Sequence, residues 1–174
     1  MQFRLVSVIS VALGLVLGPA AAVDISFTNN SACAPNAGQY TINGAHPDTC
    51  YPNAGRAPSA RSVLVSNISQ PARAQAYDGE PGRCETAADA SSASGSICLR
   101  ARNSHNIQTA RYSAMAPRRV LRRTPEAEPR FSVTYEQPGG VYREIEVQHG
   151  HVERALGLVE AKDYDTLAGF PTVS

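Results

Sequence analysis

The sequence predicts a small, mainly β protein of the α+β class: a disulfide-stapled antiparallel β domain followed by a β-hairpin and a short C-terminal helix. Three observations support this fold class. Short runs of β-branched and aromatic residues are separated by Gly, Pro and Asn, which is typical of antiparallel strands joined by turns. An even number of cysteines lies in the first part of the chain. Near the C-terminus, one apolar stripe recurs with the period of a helix.

The first 22 residues have the organisation of a secretory signal peptide. Residues 1–4 carry one positive charge, an apolar run follows over residues 5–17, and Ala20 and Ala22 place small side chains where signal peptidase needs them. The apolar run is shorter than the roughly 20 residues that a membrane-spanning helix requires. We therefore expect cleavage after Ala22 and a secreted, extracellular protein without a membrane span.

Charge divides the rest of the chain. The 174 residues include 16 basic and 15 acidic side chains, and loss of Arg4 with the leader brings the net charge to about zero. This balance argues against nucleic acid as a partner. Residues 117–130 are rich in arginine and proline, whereas residues 131–174 are acidic. The shift predicts a domain at 23–116, a linker at 117–130 and a hairpin-helix module at 131–174.

All of the cysteines, namely Cys33, Cys50, Cys84 and Cys98, lie in the predicted first domain. In a small secretory domain they predict two disulfides. Four cysteines allow three connectivities, and we favour the sequential pairing, Cys33 with Cys50 and Cys84 with Cys98, because each bond then closes a short polar loop. Zinc is not favoured, because no pair has the Cys-x-x-Cys spacing.

Within this domain short runs bounded by Gly, Pro and Asn predict strands at 24–28, where apolar and polar residues alternate, and at 39–42, 62–66, 74–77, 97–99 and 108–112. Turn signals such as Asn43-Gly44 and Asp78-Gly79 separate them. Residues 86–96 are rich in Ala, Ser and Asp and predict a flexible surface loop. The spacing of the strands favours a small antiparallel sandwich or barrel.

The predicted C-terminal module begins with a hairpin. Phe131, Val133 and Tyr135 alternate with polar residues, residues 137–140 form a turn, and a returning strand ends at Val147. A helix is predicted over residues 151–161 and a shorter turn over 163–168. Because a lone hairpin is unstable in water, we expect it to pack on this helix and on the first domain.

The chain shares four features with a known group of proteins: the leader, the paired cysteines, the short strands, and the final hairpin and helix. The last feature includes Val141-Tyr142-Arg143-Glu144-Ile145 and Asp163-Tyr164-Asp165-Thr166-Leu167-Ala168. The chain resembles the small secreted cysteine-containing, effector-like proteins of filamentous fungi. The resemblance implies secretion and assigns no activity. We expect a non-enzymatic protein that binds an extracellular partner, either a protein or a component of a cell surface.

Two kinds of modification site are predicted. Asn29 and Asn67 each begin a glycosylation sequon without a middle proline, and each lies where a strand should end. The arginine pairs Arg118-Arg119 and Arg122-Arg123 lie in the proline-bounded linker and suit a secretory convertase. A precursor that is cut there is therefore one alternative to a binding protein, and a single core spanning both halves would count against it.

A small secreted hydrolase is the other alternative. The sequence contains no nucleophile elbow, zinc-protease helix or phosphate loop, so we predict no catalytic residue, no cofactor and no metal site. His149-Gly150-His151 with Glu153 has the residue types of a metal site, but a junction between a hairpin and a helix also needs polar residues and glycine. A pocket that joins a histidine to a carboxylate would favour the hydrolase.

Overall fold

A computed structural model describes residues 22–34, 39–54, 60–85, 87–101, 106–115 and 128–173. Eight strands precede two helices: β1 (Val23–Thr28), β2 (Gln39–Ala45), β3 (Tyr51–Pro52), β4 (Ser62–Tyr77), β5 (Ala87–Arg100), β6 (Thr109–Ala114), β7 (Arg130–Gln137), β8 (Val141–Val147), α1 (Val152–Ala161) and α2 (Tyr164–Leu167). The predicted mainly β fold with a short C-terminal helix is confirmed. Residues 1–21 of the predicted leader and the arginine pairs Arg118-Arg119 and Arg122-Arg123 lie outside the described residues.

The strands form one antiparallel sheet in the order β3-β6-β4-β1-β2-β7-β8, with β5 on the other edge of β4. The pairing of β2 with β7 aligns Tyr40 with Val133 and Ile42 with Phe131, so the sheet runs through both of the predicted halves of the chain. The predicted hairpin therefore packs on the first domain, as expected because a lone hairpin is unstable in water. The division of the chain into residues 23–116, 117–130 and 131–174 stays a prediction.

Strands β4 and β5 pair along their length, and this two-stranded ribbon bends back on itself. The backbone N–H of Arg100 donates to the Asp89 carboxylate at 3.0 Å, although both residues belong to β5. Eleven residues of straight strand would hold them roughly 36 Å apart. The bend coincides with irregular pairing between Val65 and Ala72 and with left-handed backbone at Asn67 and Gly95. This folding turns one long ribbon into two facing layers.

Two predictions about this ribbon are wrong in detail. Residues 62–66 and 74–77, predicted as separate strands, belong to the single strand β4. Residues 87–96, predicted as part of a flexible loop, form most of β5 and pair with β4. Their side chains are small and largely exposed, so they carry little hydrophobic signal, while the pairing uses backbone groups that every residue has.

The apolar side chains of the sheet and of α1 form one buried cluster. Ile25, Val63 and Val133 are completely buried, and Ala74 and Ala76 keep the folded half of β4 free of bulk. The opposite face of the central strands carries hydroxyls that bond across the sheet. Thr28 and Ser62 lie 2.6 Å apart and Ser26 and Thr41 lie 3.0 Å apart, so these buried polar groups are paired.

The cysteines form two disulfides, but the sequential pairing that we favoured is wrong. Cys33 is bonded to Cys98 and Cys50 to Cys84, with Cα–Cα distances of 5.9 and 6.1 Å. The physical reason is the position of β5. Cys98 lies on this strand opposite Leu64, beside the segment that follows β1, so the Cys33 side chain reaches it across the sheet.

The C-terminal part closes the edge of the sheet. Helix α1 buries Val152, Ala155 and Leu156, which confirms the predicted apolar stripe. It ends at Lys162, whose backbone is left-handed, and the Asp163 side chain then caps α2 by accepting a hydrogen bond from the Thr166 N–H. The last described residues pair with β8, since Ile145 and Thr172 form an antiparallel bridge. No helix among the described residues is long and apolar enough to cross a membrane.

Candidate functional site

A groove of ≈ 640 Å³ lies where β7 and β8 meet the C-terminal segment. Its apolar surface is formed by rings and by one aliphatic side chain, contributed by Pro129, Phe131, Val147, Phe170 and Pro171. Because the two strands are paired, Phe131 lies directly opposite Val147. The Glu146 N–H donates to the carbonyl of Pro171 at 2.8 Å, which fixes the opposite wall. The groove therefore rests on paired backbone.

Phe131 is held by a row of aromatic rings that begins in the core. Phe27 stacks on Tyr40 with ring centroids 5.9 Å apart, and Tyr40 stacks on Phe131 at 6.1 Å. The His149 ring then contacts Phe131 at 4.7 Å in a tilted arrangement. Burial, and to a lesser extent the neighbouring Tyr51, raises the pKa of Tyr40 above its usual range. The row thus connects a buried neutral phenol to the groove.

The rim of the groove is polar and acidic. Glu128, Glu146 and Gln148 line it together with His149 and His151, which lie on a short helical turn directly after β8. Arg130 lies beside Glu146, with its Nε 4.0 Å from the Glu146 carboxylate. Both of these side chains are well exposed, at 43% and 74%, so their attraction is weak and screened by solvent.

The groove brings histidines and carboxylates into one lining, which the sequence did not predict. Among the described residues, neither His149 nor His151 forms a hydrogen bond or ion pair with a carboxylate. In a productive complex a general acid or base lies within about 3 Å of the substrate proton that it transfers. No group of three metal-ligating side chains occurs in the described part of the chain, including the segment around Glu153.

The predicted glycosylation sites lie away from the groove. Asn67 is exposed at the bend of β4, in left-handed backbone, and lines a shallow depression with Asp24, Ser69 and Gly95. Its Nδ2 donates to the Asp24 carboxylate at 2.6 Å. Asn29 is exposed in the bend that follows β1. Modification of either residue stays a prediction, as does cleavage at the linker arginines.

The residues that shape the groove gave no recognisable motif in the sequence. Pro129 and Phe131 are separated from Phe170 and Pro171 by about forty positions, and only the antiparallel return of β8 and the C-terminal segment brings them together. One usable signal was a proline close to an aromatic residue at both positions, since Pro129 lies two residues before Phe131 and Pro171 follows Phe170. Such pairs are too common to identify a site.

Comparison with known protein families gives a match. The family model described as ARB_05566_N, N-terminal domain, matches residues 24–138. The match begins in β1, passes through the predicted linker and ends in the turn after β7, so it includes Glu128, Pro129 and Phe131 of the groove. No curated protein and no solved structure matches the chain. Because the match covers well over half of the residues, the chain belongs to the ARB_05566_N N-terminal domain family, a fungal-type family compatible with the fungal resemblance.

Proposed function

We propose that this chain is a secreted, non-enzymatic binding protein that engages an extracellular partner through the groove. The observation that carries the proposal is the groove itself, an apolar floor with a polar rim on rigid strands, which is the usual composition of a binding site. The two disulfides suit an oxidising compartment. The partner is a protein or a component of a cell surface, as for the effector-like fungal proteins that the chain resembles.

Secretion is tested by expressing the full chain in a fungal host and recovering it from the medium. We expect intact mass spectrometry to give a chain that begins at Val23 and is lighter by four hydrogens than its reduced form. Sensitivity of the mass to an endoglycosidase, lost in Asn67→Gln, would support a glycan at that exposed bend. Retention of the whole chain inside the cell would contradict the proposal.

Binding is tested with fluorescently labelled protein applied to cell surfaces and extracellular proteins of candidate host tissues. Gln148→Trp fills the groove from its exposed rim. Ser94→Trp places the same side chain at an exposed position of β5, which β4, β1, β2 and β7 separate from β8. We expect the first substitution to abolish saturable binding and the second to leave it unchanged. Saturable binding that survives Gln148→Trp would exclude the groove as the site.

A small secreted hydrolase is the second candidate, because the groove lining contains His149 and His151 together with Glu128 and Glu146. This grouping is the feature that would favour an acid–base pair. The test is turnover of esterase, peptidase, glycosidase and nuclease substrates by the purified protein. Activity that disappears in a His149→Ala, His151→Ala double variant would replace the binding proposal by the hydrolase.

The processed precursor is less favoured by the pairing of β2 with β7. A cut within residues 118–123 would separate β7 from the earlier strands in sequence but not in the sheet. Both disulfides lie within residues 33–98, so only backbone pairing and packing would hold the fragments together. Two bands on a denaturing gel together with one species in gel filtration would identify such a nicked, associated form.

A further inference from the structure

The groove selects a particular kind of ligand. We propose that it binds an extended peptide segment of a partner protein and takes an arginine side chain from that segment. This inference rests on the proposed binding function and names the chemistry of the partner. It is supported by the charge around the groove, by the rings in its floor and by the state of the β8 edge.

The charge around the groove favours a cation. Glu128 and Glu146 line it, and the described residues of the lining include no lysine or arginine. The Arg130 guanidinium is at the limit of ion pairing with Glu146 and is mostly exposed, so a ligand cation does not have to displace a strong pair between these two side chains. The same carboxylates repel phosphate and other anions, which disfavours nucleic acid and acidic lipid as occupants.

The rings favour arginine over lysine. Phe131, Phe170 and His149 all line the groove, and Phe131 is held in place by its stack on Tyr40. A guanidinium is planar and weakly hydrated, so it stacks on aromatic faces and still donates to carboxylates at its edges. An ammonium is more strongly hydrated and has no plane to stack. The combination of rings and carboxylates therefore matches the arginine side chain.

The edge of β8 determines how a peptide can enter. The C-terminal segment already occupies this edge, because the Glu146 N–H donates to the Pro171 carbonyl and the Val173 N–H donates to the Glu144 carbonyl. A ligand cannot add to the sheet as a further strand there. It must instead insert side chains between the rings, with the exposed Gln148 amide within the lining to meet its backbone.

The test uses fluorescence anisotropy with a labelled synthetic peptide, Ala-Leu-Arg-Pro-Leu-Ala, and with its Lys and Glu counterparts. We expect the Arg peptide to bind saturably, the Lys peptide to bind about tenfold more weakly and the Glu peptide not to bind. Added salt should weaken binding of the Arg peptide. Equal binding of all three peptides, or no binding of any, would overturn the arginine inference.

A matched pair of variants separates the groove from the overall charge. Glu128→Gln with Glu146→Gln should weaken binding of the Arg peptide by about tenfold or more. Glu153→Gln with Glu160→Gln removes the same charge from the exposed face of α1 and should change binding by no more than about twofold. Equal losses in the two variants would mean non-specific attraction and would overturn the site.

Two further measurements distinguish failure of the arginine inference from failure of the proposed binding function. Replacement of the two arginine pairs Arg118-Arg119 and Arg122-Arg123 by Gln should leave affinity for the Arg peptide unchanged. A marked increase would mean that this chain's own arginines occupy the groove, which would overturn a partner in trans. If the peptides fail but labelled protein still binds cell surfaces in a manner blocked by Gln148→Trp, the binding function stands and the arginine inference falls. If both fail, both proposals fall.

Discussion

Replacing Cys33 and Cys98 together by serine removes the bond between the segment after β1 and strand β5, and leaves the bond between Cys50 and Cys84 intact. The removed bond closes a loop with a sequence separation of 65. In the chain-entropy account, a loop of this length contributes about 4 kcal/mol to the free energy of unfolding. That is a large share of the roughly 5–15 kcal/mol typical of a small domain. The variant should therefore unfold at a markedly lower urea concentration.

Urea denaturation followed by circular dichroism measures the stability, and thiol titration in denaturant counts free cysteines. We expect no free thiol in the variant that lacks Cys33 and Cys98, because the remaining two cysteines pair with each other. The control lacks Cys33 and Cys50 and strands one cysteine from each native bond. It should contain two free thiols or a non-native bond. The opposite pattern would restore the sequential pairing and refute the observed one.

The wild-type protein provides an independent check that does not depend on a variant's folding. Trypsin leaves Cys33 and Cys50 in one peptide that ends at Arg56, and Cys84 and Cys98 in another that ends at Arg100. With the observed bonds, these two peptides stay joined until they are reduced. A further cut at Asp48 and at Asp89 should then pair the Cys33 fragment with the Cys98 fragment. Separate tryptic peptides before reduction would contradict the observed connectivity.

Three other outcomes follow from single side chains. The buried Tyr135 hydroxyl has no hydrogen-bond partner among the described residues, so Tyr135→Phe should leave the free energy of unfolding unchanged or raise it by up to about 1 kcal/mol. The control, Tyr112→Phe, removes a 3.0 Å hydrogen bond to the Ala45 carbonyl and should lower the free energy of unfolding by about 1 kcal/mol. Urea denaturation measures both variants. The pKa of Tyr40 is raised by burial, so the folded chain holds the phenol proton more tightly than the unfolded chain does. The free energy of unfolding should therefore fall as the pH rises above about 10. If Tyr40→Phe shows the same fall with pH, the burial of Tyr40 is not its cause. Ala74 is fully buried where β4 folds back, so Ala74→Leu should cost about 1–3 kcal/mol in thermal or urea unfolding, and a neutral result would mean that the facing layers leave space there.

Local patterns predicted those elements whose side chains report their surroundings. Val63 and Val65 are buried in β4, whereas Leu64 and Ser66 are partly exposed, which is the period of a strand. The hairpin of β7 and β8 was predictable from its alternation and from the Gly139-Gly140 turn, where both glycines adopt positive φ. Residues 87–96 of β5 were missed because their small, largely exposed side chains carry no such signal, whereas 97–99 were predicted as a strand. The place of β5 in the sheet depends on the backbone of β4.

The candidate site was predictable only in part. The histidines after β8 were noticed because of their spacing, and the acidic character of the last segment was evident from composition. Their association with Phe131 and Phe170 was not, because it requires the C-terminal segment to return along β8. Side chains about forty residues apart carry no shared periodicity. Their proximity is a consequence of strand pairing, which sequence patterns do not encode at that range.

By itself, the sequence determined the fold class, the presence of two cross-links and the expectation of a secretory leader, because alternation, cysteine number and a small-residue cleavage site are local or compositional properties. Tertiary structure decided which cysteines pair, how β4 and β5 fold back and where the groove lies. The physical reason is that the entropy of closing a loop changes only slowly with its length. Short loops therefore have little advantage over long ones, and the contacts of the folded sheet determine which distant residues meet.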